Sequence, residues 1–272
     1  MTGRSALTRL GRPRLSVRTA VGCLGLVMAV CAAIGVAAHY FGPVSTVVTL
    51  FAAFTPLFVV LGAVATPMLV AARYWYPALA ATVVVLVGAA SQLPLYVGDA
   101  QTATDSTAPM LRVLQANIML GEADAAALAH QVRAEQVDVL TVAELTGSAV
   151  ERLAAAGVER SLPYTYLMPR QGGGGEGIYS RHPLTDAAKL SGLQHNNLRA
   201  TVHVPGGNPV AVYALHPVPP YPLPAWRWAL ELDRLGAALA AEPMPLIVGA
   251  DFNSTYDHER YRNLVDSAGR DG

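Results

Sequence analysis

The chain has 272 residues, equal numbers of acids and bases (19 each) and 53% hydrophobic residues, a balance too apolar and too sparsely charged for a wholly soluble enzyme. Both cysteines, Cys23 and Cys31, lie inside an early apolar run, so the remainder holds neither a disulfide nor a thiolate metal site. The neutral total conceals two unlike parts: six Arg against two Asp up to Ser106, net +4, and twelve Arg with one Lys against 17 acids from Thr107 onward, net −4. The second part therefore has the wrong sign for sequence-independent grip on nucleic acid.

Residues 1–18 carry Arg4, Arg9, Arg12, Arg14 and Arg18 and no acid, and read as a cytoplasmic tail. Residues 19–40 are apolar and uncharged, long enough to cross a hydrocarbon core of ~30 Å. A second run at about 45–72 contains Pro56 and Pro67, which a membrane helix tolerates better than a soluble one. A third covers about 74–97. These runs predict three transmembrane helices within residues 19–97. A cleaved signal peptide is the alternative for the first run; the two runs that follow, and the lack of a clear small-x-small cleavage pattern, favour a retained helix. Arg73 separates the second and third runs, the turn around His39–Pro43 has no Lys or Arg, and Asp99 and Asp105 follow the third. The positive-inside rule then places the amino terminus in the cytoplasm and everything past the third span outside, in a multi-pass protein of the cell membrane. Residues 98–109 are small and polar, a flexible linker that would keep a domain at 110–272 close to the bilayer.

That domain opens with Leu111–Asn117, an alternating strand, followed by an Ala-rich helical pattern over 123–135 and a strand over Val137–Ala143 that ends at Glu144. Strand, helix and strand at this spacing form a βαβ unit, which brings Asn117 and Glu144 to one carboxyl edge. Residues 146–160 read as a helix and 164–168 as a strand. Gln171–Glu176 contains four consecutive glycines but no following Gly-Lys-Ser/Thr, so it is a mobile loop entering a strand and not a phosphate-binding loop. Glu176 and Arg181 flank that strand and are not assigned to a site. Leu198–Val204 and Pro209–Leu215 read as strands joined at Gly206-Gly207-Asn208, the second ending at His216-Pro217. His182, His195 and His203 read as surface or packing residues. Residues 224–241 form a helix with Pro224 at its start. Pro245–Ala250 is a buried strand that delivers Asp251, Phe252 and Asn253 at its carboxyl end, where α/β sheets place their ligands. In extended chain Asp251 and Asn253 share a face. Tyr256-Asp257-His258 opens a last helix, with His258 a helix-start residue.

Each of these polar residues has an ordinary alternative. Asn117, Asp251 and Asn253 are common turn residues, His216 precedes a proline in a turn, and Glu144 suits a helix amino terminus. Together, however, Gly249-Ala250-Asp251-Phe252-Asn253, the strand-end Asn117, the strand-end Glu144 and His216-Pro217-Val218-Pro219-Pro220 fall in one order. That order resembles the endonuclease/exonuclease/phosphatase family, which includes DNase-I-like nucleases, sphingomyelinases and inositol-phosphate phosphatases; Gly177–Leu184 also fits the family pattern. The resemblance is closest to a membrane-anchored bacterial form with three amino-terminal spans, some of whose members are associated with cell-envelope lipids and glycopeptide resistance.

The resemblance implies an α/β sandwich of two mixed sheets flanked by helices, DNase-I-like, behind a three-helix transmembrane region. It implies that Glu144 ligates a divalent cation, Mg²⁺ or Mn²⁺, with Asn117 helping to hold metal or phosphate. His216 and Asn253 would bind the phosphoryl oxygens and Asp251 would orient the attacking water. The family pattern also continues to further strands and an Asp-His pair, and the chain ends at Asp271-Gly272 without them, so the domain reads as incomplete at its carboxyl terminus. The expected function is a metal-dependent phosphoesterase at the outer membrane face, acting on a phosphorylated, lipid-linked substrate. An extracellular nuclease and a catalytically inactive membrane protein are the alternatives.

Overall fold

The computed structural model describes residues 16–97 and 110–269. Most of the tail read at 1–18 and the whole linker read at 98–109 lie outside the described residues. The chain divides into two compact units, Met1–Ala37 with Phe54–Val97, and Ala38–Ala53 with Gly98–Gly272.

The amino-terminal helices are α1 (Val17–Tyr40), α2 (Thr46–Ala53), α3 (Thr55–Ala71) and α4 (Trp75–Gln92). Two stretches have the length and hydropathy to cross a membrane, Val17–Tyr40 and Trp75–Leu95. The run expected to be one span at 45–72 is instead divided at Phe54, and it adds a third span only if α2 and α3 count as one. The division follows from Pro56 in the first turn of α3: it has no N–H to continue a helix from the preceding turn. Within the first unit the helices meet at small residues. A Cβ on Gly62 would lie 2.9 Å from Val85 and 3.3 Å from Ala32, and one on Gly88 3.0 Å from Val36. Close approach at small residues is the packing mode of helices in lipid. Leu24, Val27, Val30 and Ile34 on α1, and Leu79, Val83 and Leu86 on α4, are more than half exposed, as lipid-facing positions would be.

The second unit contains β1 (Val113–Asn117), α5 (Ala125–Ala134), β2 (Val139–Ala143), α6 (Gly147–Ala156), α7 (Val158–Ser161), β3 (Tyr164–Met168), β4 (Glu176–Ser180), β5 (Leu184–Lys189), β6 (Leu198–Val202), β7 (Val210–Leu215), α8 (Ala225–Ala240), β8 (Leu246–Ala250) and α9 (Glu259–Gly269). One sheet has the order β1-β2-β4-β3 and the other β5-β6-β7-β8. Both are mixed: β1 and β2 are parallel, as are β7 and β8, and the remaining pairs are antiparallel. Strand β5 was not expected; its exposed, alanine-containing sequence carries little strand signal.

Period-two alternation divides the strand side chains among three cores. Leu140 and Val142 of β2 point outward to α5 and α6, with Leu128, Val132 and Leu153. Val139 points inward to meet Ile178, Leu198, Ala200, Val212 and Ala214 between the sheets. Ala211, Tyr213 and Leu215 of β7 pack outward on α8, with Trp228, Leu232 and Leu235. Two helix starts are capped locally, α5 by Asp124 and α6 by Thr146.

Residues 38–53 are an integral part of this unit. His39 Nδ1 lies 2.8 Å from Asp257 Oδ1, both buried. Arg262 donates to the carbonyls of His39 at 2.6 Å and Tyr256 at 2.8 Å. Thr46 Oγ1 accepts from the first helical amide of α8, Ala225 N–H, and His258 Nε2 lies 3.0 Å from the Thr49 carbonyl. His258 is thus a packing residue, edge-on to Trp228 at 5.0 Å.

Candidate active site

The two parallel strand pairs determine where the polar strand ends arrive. In each pair both carboxyl ends point the same way, so Asn117 and Glu144 leave one sheet together, and His216 and Asp251 leave the other. The registers continue past the strands, through Ile118 N–H to the Ala143 carbonyl and Asp251 N–H to the Leu215 carbonyl.

The Asn117 amide joins the two groups. Its Nδ2 donates to Glu144 Oε1 at 3.0 Å and to Asp251 Oδ2 at 2.9 Å, the latter residue 134 positions away. Its Oδ1 accepts from Met119 N–H. Glu144 Oε2 accepts from Leu120 N–H at 2.6 Å. Met119, Leu120 and Glu144 all have positive φ, at 47°, 56° and 62°. That conformation is costly for side chains of this kind, and such strain gathers where surrounding structure enforces it. Here the enforcing bonds are those to the Glu144 carboxylate and the Leu145 N–H bond to the Gly175 carbonyl.

The glycine run is a wall of this site. A Cβ on Gly173 would sit 3.8 Å from the Glu144 carboxylate, while one on Gly175 would overlap the Leu145 carbonyl oxygen. The run leads into Glu176, which is 1% exposed and faces His216, itself 3% exposed. Glu176 Oε1 and His216 Nδ1 are 3.3 Å apart. Burial pushes the Glu176 carboxyl up to about 7, against the pull of the neighbouring His216 imidazole. Burial alone would lower His216; the Glu176 carboxylate 3.3 Å away, with Asp251 and Glu144 beyond, outweighs burial and raises it. Glu176 and His216 therefore hold a proton between them as a pair near neutral pH.

His216 is held on its other sides. Asn197 Oδ1 accepts its backbone N–H at 2.7 Å. The His195 ring lies 5.0 Å from the His216 ring, with its Nδ1 2.9 Å from the His216 carbonyl. Burial and the neighbouring His216 lower the pKa of His195.

Of the five residues singled out in the sequence, Asn117, Glu144 and Asp251 are in direct hydrogen-bond contact, and His216 reaches them through Glu176 and the field of the carboxylates. Asn253 differs from expectation. The strand ends at Ala250 and Asn253 takes φ 51°, so the extended face shared with Asp251 does not exist. Asp251 Oδ1 instead accepts Asn253 N–H at 3.0 Å, and Asn253 Nδ2 donates to the Pro217 carbonyl. This Asx turn ties the Asp251 rim to the His216 loop. The sequence left Glu176 unassigned and His195 as a surface or packing residue; a signal for Glu176 was its place where the glycine run enters a strand. Arg181 pairs with Asp138 at 3.2 Å and takes no part.

Among the described residues no three His, Cys, Asp or Glu side chains cluster as a metal cage. The groups that meet are two carboxylates, hard oxygen ligands, bridged by Asn117 Nδ2, while Asn117 Oδ1 faces Met119 N–H. Such a set suits a small divalent cation held by one or two carboxylates with water and substrate completing the shell.

The sequence profile of the endonuclease/exonuclease/phosphatase family matches residues 114–271. The chain belongs to the endonuclease/exonuclease/phosphatase family. Among solved structures, the family domain is similar to beta toxin from Staphylococcus aureus with bound magnesium ions (13% identity, TM-score 0.47, covering 59% of this chain and 70% of that one). It is also similar to sphingomyelinase C from Streptomyces griseocarneus (18%, 0.44, 59% and 70%). An endonuclease/exonuclease/phosphatase from Beutenbergia cavernae is 23% identical at a TM-score of 0.41, over 53% of this chain and 47% of that one. A comparison with curated proteins finds no match.

Proposed function

We propose that this family member is a membrane-anchored, metal-dependent phosphoesterase that hydrolyses a lipid-linked phosphate at the outer membrane face. The observation that carries the reading is the Asn117 amide bridging Glu144 and Asp251 beside the buried Glu176–His216 pair. It joins two carboxylates and an imidazole in one place, the equipment for cleaving a phosphate ester with water.

Glu144 would hold the divalent ion, which when bound neutralises charge on the phosphoryl oxygens, and Asn117, whose Nδ2 bridges Glu144 and Asp251, would hold those carboxylates in place. His216, paired with Glu176, donates a hydrogen bond to a phosphoryl oxygen and stabilises charge as it develops there. Asn253 commits one amide hydrogen to the Pro217 carbonyl and has a second for the phosphoryl group. Asp251 accepts from Asn117 and Asn253; its remaining lone pairs orient the attacking water and receive its proton.

Anchoring rests on the two long apolar helices with their exposed stripes, and orientation on five arginines within residues 1–18, before or at the start of the first helix. A tethered domain meets lipid-borne substrates preferentially, and the net −4 of residues 107–272 disfavours a nucleic-acid polyanion. The test is hydrolysis by the full chain, reconstituted in vesicles with Mg²⁺ or Mn²⁺, of a lipid-linked phosphate, read as phosphate release, and of DNA, read as strand scission, with Glu144→Ala as control. Metal-dependent lipid turnover abolished by the substitution supports the reading. DNA cleavage exceeding lipid turnover overturns the substrate, and turnover of neither overturns the enzyme.

A further inference from the structure

The face of α8 that covers its sheet is apolar except at one position. Glu231 lies there, 6% exposed, with Trp228, Leu232 and Leu235 as neighbours on the helix. A carboxylate buried in such surroundings is tolerated only when its oxygens are hydrogen-bonded. Both are, and both partners are main-chain amides: one oxygen accepts Gln194 N–H at 2.7 Å, the other Val218 N–H at 2.9 Å.

The identity of those amides is the point. Gln194 precedes His195, whose ring neighbours that of His216. Val218 lies two residues after His216. One carboxylate thus pins both loops that flank the site imidazole. Trp228, three residues earlier and so on the same helix face, donates its indole N–H to the Phe252 carbonyl at 3.1 Å. Phe252 separates Asp251 from Asn253, and Asn253 Nδ2 closes the circuit onto the Pro217 carbonyl.

We propose that Glu231 is a positioning residue of the site: from α8 it sets the placement of His195 and His216, while Trp228 on the same face sets the Asp251–Asn253 turn. Two diverging N–H donors need two acceptor oxygens, and only a carboxylate supplies both. Glutamine would leave an NH₂ group facing one of the amides, and leucine would leave both unpaired. The alternative, a carboxylate that merely fills space, predicts no special dependence of the site on its second oxygen.

The inference rests on the proposed function for its kinetic readout alone, so the test has a second arm. The full chain, labelled with ¹³C at histidine Cε1, is compared with Glu231→Gln. The expected result is shifted His195 and His216 ring resonances with His130 and His203 unmoved. With it comes a fall in kcat of about 10- to 100-fold, the scale of a misplaced catalytic group, and a much smaller change in KM. Glu231→Asp, which retains both oxygens, recovers part of kcat, and it carries the same readouts where the glutamine variant fails to fold. Unmoved His195 and His216 resonances overturn the proposal, whatever the activity. If the parent chain turns over no phosphate ester, the resonances still decide the role of Glu231, and that failure belongs to the proposed function.

Discussion

Gly249 of β8 and Thr141 of β2 meet across the two sheets with no room between them for a side chain. A Cβ on the glycine would overlap Thr141 Oγ1 and lie 3.0 Å from the Thr141 Cβ. Two residues further along the chain, just past β8, Asp251 meets Asn117 of the opposite sheet. The glycine therefore sets how closely the sheets approach at the end where the polar groups gather. Gly249→Ala is expected to destabilise the chain by about 1–3 kcal/mol, the range for overpacking. Thr141→Ala, which removes the overlapping atoms together with a buried hydroxyl that has no partner, should recover part of that loss. Thermal or denaturant unfolding of the two single variants and the double variant measures the coupling.

The glycine run makes a sharper test, because its members are not equivalent. Gly173 has ordinary room, with its nearest neighbours at 3.7 Å and beyond, whereas a Cβ on Gly175 would overlap the Leu145 carbonyl and lie 2.5 Å from Arg170 N. Backbone atoms cannot rotate away. Gly173→Ala should leave stability within about 1 kcal/mol, and Gly175→Ala should cost about 3 kcal/mol or more. Equal melting temperatures for the two would contradict the packing described.

Replacing Asn117 by Asp exchanges the amide that bridges Glu144 and Asp251 for a third carboxylate. In EDTA this variant should be less stable than the parent by about 1–2 kcal/mol, through lost hydrogen bonds and like-charge repulsion. Added millimolar MgCl₂ should raise its melting temperature more than that of the parent, since an ion bound only by the folded state stabilises by mass action. Identical melting curves with and without the ion would argue against metal at this site.

Glu176 gives a pH signature. Its folded pKa of about 7 lies above the ordinary 4.5, so the folded state binds the extra proton. The stability it contributes is full below about pH 4.5 and is lost as pH rises through about 7. The His216 shift has the same sign, whereas His195 and His258, both lowered, oppose it. The clean measurement is therefore the difference between Glu176→Gln and the parent, in EDTA. The variant should gain stability relative to the parent as pH rises from 4.5 to 7, by at most about 3 kcal/mol. A flat difference would mean that Glu176 ionises normally.

Much of the site was legible in local pattern. Asn117, Glu144 and Asp251 each close a short apolar strand, and a βαβ spacing alone aligns the first two. The apolar amino-terminal helices are likewise a matter of composition and length, although Pro56 divides the middle run where hydropathy alone joins it. What remained hidden depends on contacts between distant segments. Glu176 opens β4, yet its partner His216 closes β7 in the other sheet. His195 lies in a loop with no periodic signal, and Glu231 looks like any polar residue of an amphipathic helix until the Gln194 and Val218 amides are seen to donate to it. Asn253 leaves the extended path because Asp251 captures its amide. By itself the sequence determined which strand ends carry acids, amides and imidazole, because strand and helix periods are local properties of the chain. Tertiary structure decided which of those groups touch, which are buried and which hold a proton, because burial and pairing are properties of two sheets packed together and of no single segment.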